Sequence, residues 1–153
     1  MSVSVEERNR LVLHLLNGTS SSLKTIVPIQ HKLSKPQLLG KLIHFQFGVL
    51  IGFTGDVKGR LIIDGDQSVF QAVGESMFGM FLEGEMLTSF SGELGNMIAG
   101  NLSTNIIQNG LKTDITAPTV MEGDTTISGY SSAIYMAADF EQAGKLGIHL
   151  LID

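Results

Sequence analysis

The sequence contains no cysteine, which removes disulfide cross-links, thiolate metal sites and cysteine nucleophiles from consideration and fits a reducing compartment. Positive charge is also scarce. Ten Lys and Arg stand against fifteen Asp and Glu, for a net charge of -5. That balance argues against an electrostatic grip on nucleic acid or an anionic membrane and favours a basic or amphipathic partner. No apolar run reaches the roughly 20 residues needed to span a bilayer. The opening MSVSVEERNRLVLHLL places Glu6 and Glu7 where a secretory signal needs positive charge, and His14 interrupts its apolar run, so the expectation is a cytoplasmic protein. What remains is 43% hydrophobic, enough to build a real core in a single domain spanning 1–153.

Hydrophobic periodicity divides the chain. From Val5 to about Val27, the residues Leu11, Val12, Leu15, Leu16, Leu23 and Ile26 recur at helical spacing, with Asn17-Gly18 a break or bend. Pro28 and Pro36 bracket a loop. Ile43, Phe45, Phe47, Val49, Ile51 and Phe53 then occupy every second position, the period of a strand with one buried face. TGDVKG supplies a turn and RLIID returns, predicting an antiparallel hairpin. Asp66 caps a helix carrying Val69, Phe70, Val73 and Met77 inward, and Gly79 ends it. A longer helix follows from Gly84 or Glu85 to Gln108 and stops near Gly110, after which TDITAPTVM, TISGYSSAIYMAA and KLGIHLLI read as strands. The order α-β-β-α-α-β-β-β predicts an α+β, two-layer fold with long helices packed on an antiparallel-rich sheet. TGDVKGRLIID and FEQAGKLGIHLLID resemble one another faintly, a pattern that two related halves, each a helix before a hairpin, would give and that unrelated hairpins would give as well.

Several chemical signatures nearly occur and fail on physical grounds. Gly95 to Gly100 has the glycine spacing of a phosphate-binding loop, but Asn101-Leu102 replaces the Lys-Ser/Thr that holds phosphate and magnesium. Asp64, Asp66, Ser68 and Glu75 mimic a calcium loop, but Val69 stands where the sharp turn demands glycine. His14, His31, His44 and His149 have no ligand spacing and read as surface or strand histidines. No metal site is expected.

The stretch SGELGNMIAGNLSTNI, residues 91–106, is harder to explain as ordinary helix. At about 100° per residue, Leu87, Leu94, Ile98 and Leu102 gather into a core stripe, while Ser89, Glu93, Asn96, Gly100 and Ser103 gather on nearly the opposite side. Glu93 and Asn96 are three apart and therefore neighbours on an open face. Each interior glycine costs about 1 kcal/mol relative to alanine, so Gly92, Gly95 and Gly100 together cost on the order of 3 kcal/mol. Close approach of the helix to a sheet accounts for Gly95, and close approach of another molecule accounts for Gly100. Spacing alone is weak, because Ser2, Glu6 and Asn9 repeat Ser-x-x-x-Glu-x-x-Asn near the start, with Leu13 in place of the glycine.

With the signature Ser89, Glu93, Asn96 and Gly100 in place, and with ELGNMIAG followed by DITAPTVMEG, the sequence resembles the CheC/CheX/FliY chemotaxis phosphatases, most of all their single-site CheX branch. The resemblance implies a CheC-like fold and removal of the phosphoryl group from the aspartyl phosphate of a CheY-type response regulator. It assigns Glu93 and Asn96 the catalytic roles, and Ser89, Gly100 and Ser103 contact with the partner. Magnesium is expected in the partner and no cofactor in this chain. The resemblance also implies a homodimer in which sheets join, with the late strands, including Tyr130 to Ala138, as candidates for the edge. The alternative is a binding module of the same fold, related to flagellar switch components, that holds a regulator without hydrolysing its phosphate.

Overall fold

The computed structural model describes residues 5–141 and 143–153. Its elements are α1 (Val5–Ile26), β1 (Lys32–Leu33), β2 (Gln37–Leu39), β3 (Ile43–Gly55), β4 (Gly59–Asp64), α2 (Gln67–Phe78), α3 (Glu85–Gln108), β5 (Thr113–Ile115), β6 (Thr119–Ile127), β7 (Ser132–Asp139) and β8 (Lys145–Ile152). The α+β class and the antiparallel sheet are as expected, and the element order gains three short pieces. β1 forms within the loop between the prolines and β2 just after Pro36, because both find a partner in β7. TDITAPTVM breaks at Thr116–Pro118 into β5 and β6, since Pro118 has no N–H to give a ladder.

The strands form one eight-stranded antiparallel sheet in the order β1-β7-β8-β4-β3-β5, with β2 also on β7 and β6 also on β3. The order is symmetric about the central β4–β8 pair. Each half of the chain, α1 to β4 and α3 to β8, supplies one central strand, one flanking strand and two further strands that pair with the other half's flank. The faint internal similarity thus corresponds to a topological repeat. α1 and α3, its two leading helices, lie side by side: Ser22 Oγ donates to Asn101 Oδ1 at 2.9 Å. No break occurs at Asn17-Gly18, because Gly18 faces α3 within the helix, where a Cβ would stand 2.5 Å from Leu102 Cδ1.

The helices cover one face of the sheet. Phe47, Val49, Ile51 and Phe53 of β3, Leu61 and Ile63 of β4, and Ile148 and Leu150 of β8 join Phe70 and Val73 of α2 and Leu94 and Ile98 of α3 in the main core. Ile43 and Phe45 do not. They group with Ile62, Ala133 and Leu151 on the other face, so the six alternating residues of β3 serve two faces rather than one. The pairing of β3 with β6 shifts register between Phe45 and Phe47, and Gly48 leaves room for the Phe45 ring, 2.8 Å from where a Cβ would be. A register irregularity re-aims side chains in this way.

β7 is not an edge. It pairs with β8 along its whole length and with β1 and β2 on its other side, so the Tyr130 to Ala138 segment has no open ladder to offer another sheet. The outer strands are β1 and β2 at one end, β5 and β6 at the other.

At the start of α2, Asp66 occupies the cap position in extended conformation but makes no side-chain cap bond. Gly79 ends the helix as expected, left-handed at φ 71°, its N–H donating to Glu75 O at 2.8 Å. His149, a strand histidine on β8, is buried: His149 Nε2 donates to Asp64 Oδ1 at 2.6 Å, and Tyr135 packs against its ring. Burial, followed by the negative charge of Asp64, pushes the Tyr135 phenol above its ordinary 10.0. A raised phenol favours the folded state below the unfolded value and loses that contribution as pH rises through the folded one. In a Tyr130→Phe chain, which leaves Tyr135 as the single tyrosine, ultraviolet titration is expected to show ionisation later than in the urea-unfolded chain. Coincident titrations would refute it.

Candidate functional site

α3 carries the candidate site, and its packing explains why a helix accepts these glycines. Leu87, Leu94, Ile98 and Leu102 are all buried in the main core, as the wheel predicts. Gly95 faces β3 so closely that a Cβ would lie 2.7 Å from Val49 Cγ1 and 2.8 Å from Ile51 Cδ1. Gly92 meets the β6 side, where a Cβ would stand 3.3 Å from Val120 Cγ2. These two positions bring the helix down onto the sheet. Gly100 is different: nothing lies within 4 Å of the place its Cβ would take. Nothing packed against the helix crowds that position.

On the outward side Ser89 and Glu93 are exposed, and Asn96, Gly100 and Ser103 are half-buried. The five residues therefore share one face over four helical turns, with Glu93 and Asn96 about one turn apart. Among the described residues the side chains of Ser89, Glu93, Asn96 and Ser103 make no hydrogen bond or ion pair. An amide and a carboxylate thus stand side by side with their hydrogen-bonding capacity unused within the fold. Ser89 also lines a depression of about 480 Å³ with Gln67, Gly84, Glu85, Leu87, Thr88 and Glu122, in which Thr88 Oγ1 donates to Glu122 Oε1 at 2.8 Å. Sequence reasoning missed Thr88 and Glu122, which come together only because β6 passes beside the start of α3.

The earlier Ser-x-x-x-Glu-x-x-Asn copy gives less to compare. Ser2 lies outside the described residues, and Glu6 and Asn9 are described as helix backbone alone. Among the described residues no three His, Cys, Asp or Glu side chains converge in a metal-binding group, and no helix is long and apolar enough to cross a membrane.

Helices on one face of an antiparallel sheet, one of them carrying an unpartnered Glu-x-x-Asn on its outward side, define a CheC-like α+β domain. The chain belongs to the chemotaxis phosphatase CheX family, whose profile it matches over residues 47–141. It is 28% identical over 148 residues to the CheY-P phosphatase CheX of Thermotoga maritima, covering 94% of this chain and 96% of that one. Among solved structures, a CheC-like superfamily protein from Shewanella sp. PV-4 superposes with a TM-score of 0.79 at 26% identity, over 92% of this chain and 97% of that chain. The CheX of the CheX-CheY-BeF3-Mg2+ complex from Borrelia burgdorferi has the same fold, with a TM-score of 0.77 at 24% identity over 92% and 96% of the two chains.

Proposed function

We propose that this chain is a cytoplasmic phosphatase that hydrolyses the aspartyl phosphate of a CheY-type response regulator, presenting Glu93 and Asn96 of α3 to the regulator's active site. The observation that carries this reading is the unpartnered pair itself, displayed on a helix whose opposite side is locked into the core. In the reaction a water oxygen attacks phosphorus, the bond to the aspartyl oxygen breaks, and carboxylate and inorganic phosphate are released. A loose phosphoryl-transfer transition state needs in-line positioning and charge stabilisation more than a strong base. The Asn96 amide, neutral and able to accept from the water through Oδ1, suits that positioning. Glu93 suits an ion pair with a lysine of the partner's site, which sets the angle of the helix. Ser89, Gly100 and Ser103 border the pair, and the bare Gly100 permits close approach of the partner's backbone.

Magnesium belongs to the partner in this reading, in line with the metal present in the Borrelia burgdorferi complex. A homodimer is also proposed, joined through an outer strand rather than through β7. Light scattering is then expected to give twice the 16.4 kDa chain mass. A monomer at micromolar concentration would remove the dimer.

The test of the activity is direct. Phosphorylated regulator mixed with substoichiometric protein in magnesium buffer is expected to release many equivalents of phosphate. Stoichiometric protection of the phosphate would instead support the non-catalytic binding module. Within the phosphatase reading, Glu93→Ala is expected to raise KM by about tenfold, the scale of one charge-assisted contact, with a smaller effect on kcat. An unchanged saturation curve would count against the ion-pair role.

A further inference from the structure

Between Arg60 and Lys112 the chain has no lysine or arginine, while Asp64, Asp66, Glu75, Glu83, Glu85 and Glu93 fall in that stretch. It comprises the end of β4, α2, α3 and their connection. At the connection, large apolar side chains stand in solvent: Phe78 is 59% exposed, Met80 50%, Phe81 56% and Met86 53%. The segment is held in place rather than loose. Leu82, at its centre, is buried against α2, with its Cδ1 2.7 Å from where a Gly74 Cβ would stand. Phe78 makes an edge contact with Phe90 of α3, at 5.7 Å between ring centroids. Gly79 at φ 71° and Gly84 at φ 61° turn the chain on either side of this anchor. Met80 and Phe81 are consequently displayed at a fixed place.

The patch is continuous with the candidate site. Met86 precedes Glu93 by seven residues, about 20° around the helix axis, and Ser89 lies between them. Exposed Glu75, Glu83 and Glu85 rim the apolar residues. Methionine and phenylalanine together make an adaptable apolar surface of the kind used to bind other proteins.

We propose that Phe78, Met80, Phe81 and Met86 form the platform on which the response regulator docks, and that the regulator meets it with an apolar spot bordered by lysine or arginine. The proposal rests on the phosphatase reading for the identity of the partner. Charge favours that occupant over a second copy of this chain, because two copies of the same acidic rim would repel across the contact. The platform holds the regulator at the N-terminal end of α3 while Glu93 and Asn96, further along the same face, reach its active site.

The test uses the full chain and a CheY-type regulator loaded with beryllium fluoride and magnesium, a stable stand-in for the aspartyl phosphate. Phe81→Ser with Met86→Ser is expected to raise both Kd and KM by about tenfold or more, with kcat within about twofold. A second variant, Glu83→Lys with Glu85→Lys, leaves the apolar residues intact; it is expected to weaken binding about fivefold at low salt, with the difference vanishing at high salt. Unchanged Kd in both variants overturns the proposal. So does unchanged Kd accompanied by loss of a dimer, which would assign the patch to a second copy. Binding without turnover by the unmodified chain removes the phosphatase reading, and the Kd ratio of the variants still decides the platform.

Discussion

Asn96→Ala is expected to slow phosphate release from a phosphorylated CheY-type regulator by about 100-fold or more, while Kd for the beryllium fluoride form changes less than about threefold. The separation follows from where Asn96 stands. Its side chain is half-buried on the outward face of α3 and makes no hydrogen bond among the described residues, so its removal breaks no hydrogen bond of the fold. Its proposed contribution is to a water held in line with the breaking bond, an interaction realised fully only in the transition state; such interactions appear in kcat rather than in binding. Asn96→Asp sharpens the experiment. It keeps the shape and one acceptor oxygen but adds negative charge beside a phosphoryl group, and it is expected to be as slow as alanine with weaker binding as well. Stopped-flow decay of the phosphorylated regulator against enzyme concentration measures both quantities. Decay as fast with Asn96→Ala as with the unmodified chain would sink the water-positioning role.

The candidate site was legible in sequence to the extent that it follows helical geometry. Leu87, Leu94, Ile98 and Leu102 repeat at a helical period, so the opposite side of α3, with Glu93 and Asn96, could be located without coordinates. The last strand was equally plain, because Leu146, Ile148, Leu150 and Ile152 alternate along Lys145–Ile152. Features set by contacts between distant segments were not. The six alternating residues of β3 read as one face, yet a register shift opposite β6 sends Ile43 and Phe45 to the other. β7 looked free because nothing in its own sequence says that Lys32–Leu33 and Gln37–Leu39, a hundred residues earlier, will cover it. The exposed apolar connection had signals that went unused: Met86 seven residues before Glu93, and a long stretch without basic residues. An apolar side chain in a loop is normally assigned to the core, and here Leu82 alone fills that role while its neighbours face out.

Gly95 and Gly100 lie five residues apart on one helix, and their replacement is expected to move stability in opposite directions. At Gly95 any side chain meets Val49 and Ile51 of β3 at under 3 Å, so Gly95→Val must lift α3 from the sheet or displace two core residues of a central strand. Overpacking of this kind costs about 1–3 kcal/mol, and the two contacts on a fully buried strand place the expected loss near about 3 kcal/mol. For a chain of this length that lowers Tm by roughly 10 °C, read by calorimetry. At Gly100 an added methyl meets nothing, and the ordinary helical preference for alanine should prevail. Gly100→Ala is accordingly expected to raise Tm by roughly 2–4 °C, equivalent to about 1 kcal/mol. If the partner approaches that position closely, the same methyl obstructs it, so a more stable chain with a KM raised about fivefold is the expected signature of a glycine kept for an interface. Equal Tm for Gly95→Val and the unmodified chain would mean that the helix can ride away from β3 at no cost. A Gly100→Ala chain that is more stable and turns over phosphorylated regulator with unchanged KM would show that the bare face at Gly100 serves no partner, and the explanation of that glycine would have to be sought within the helix.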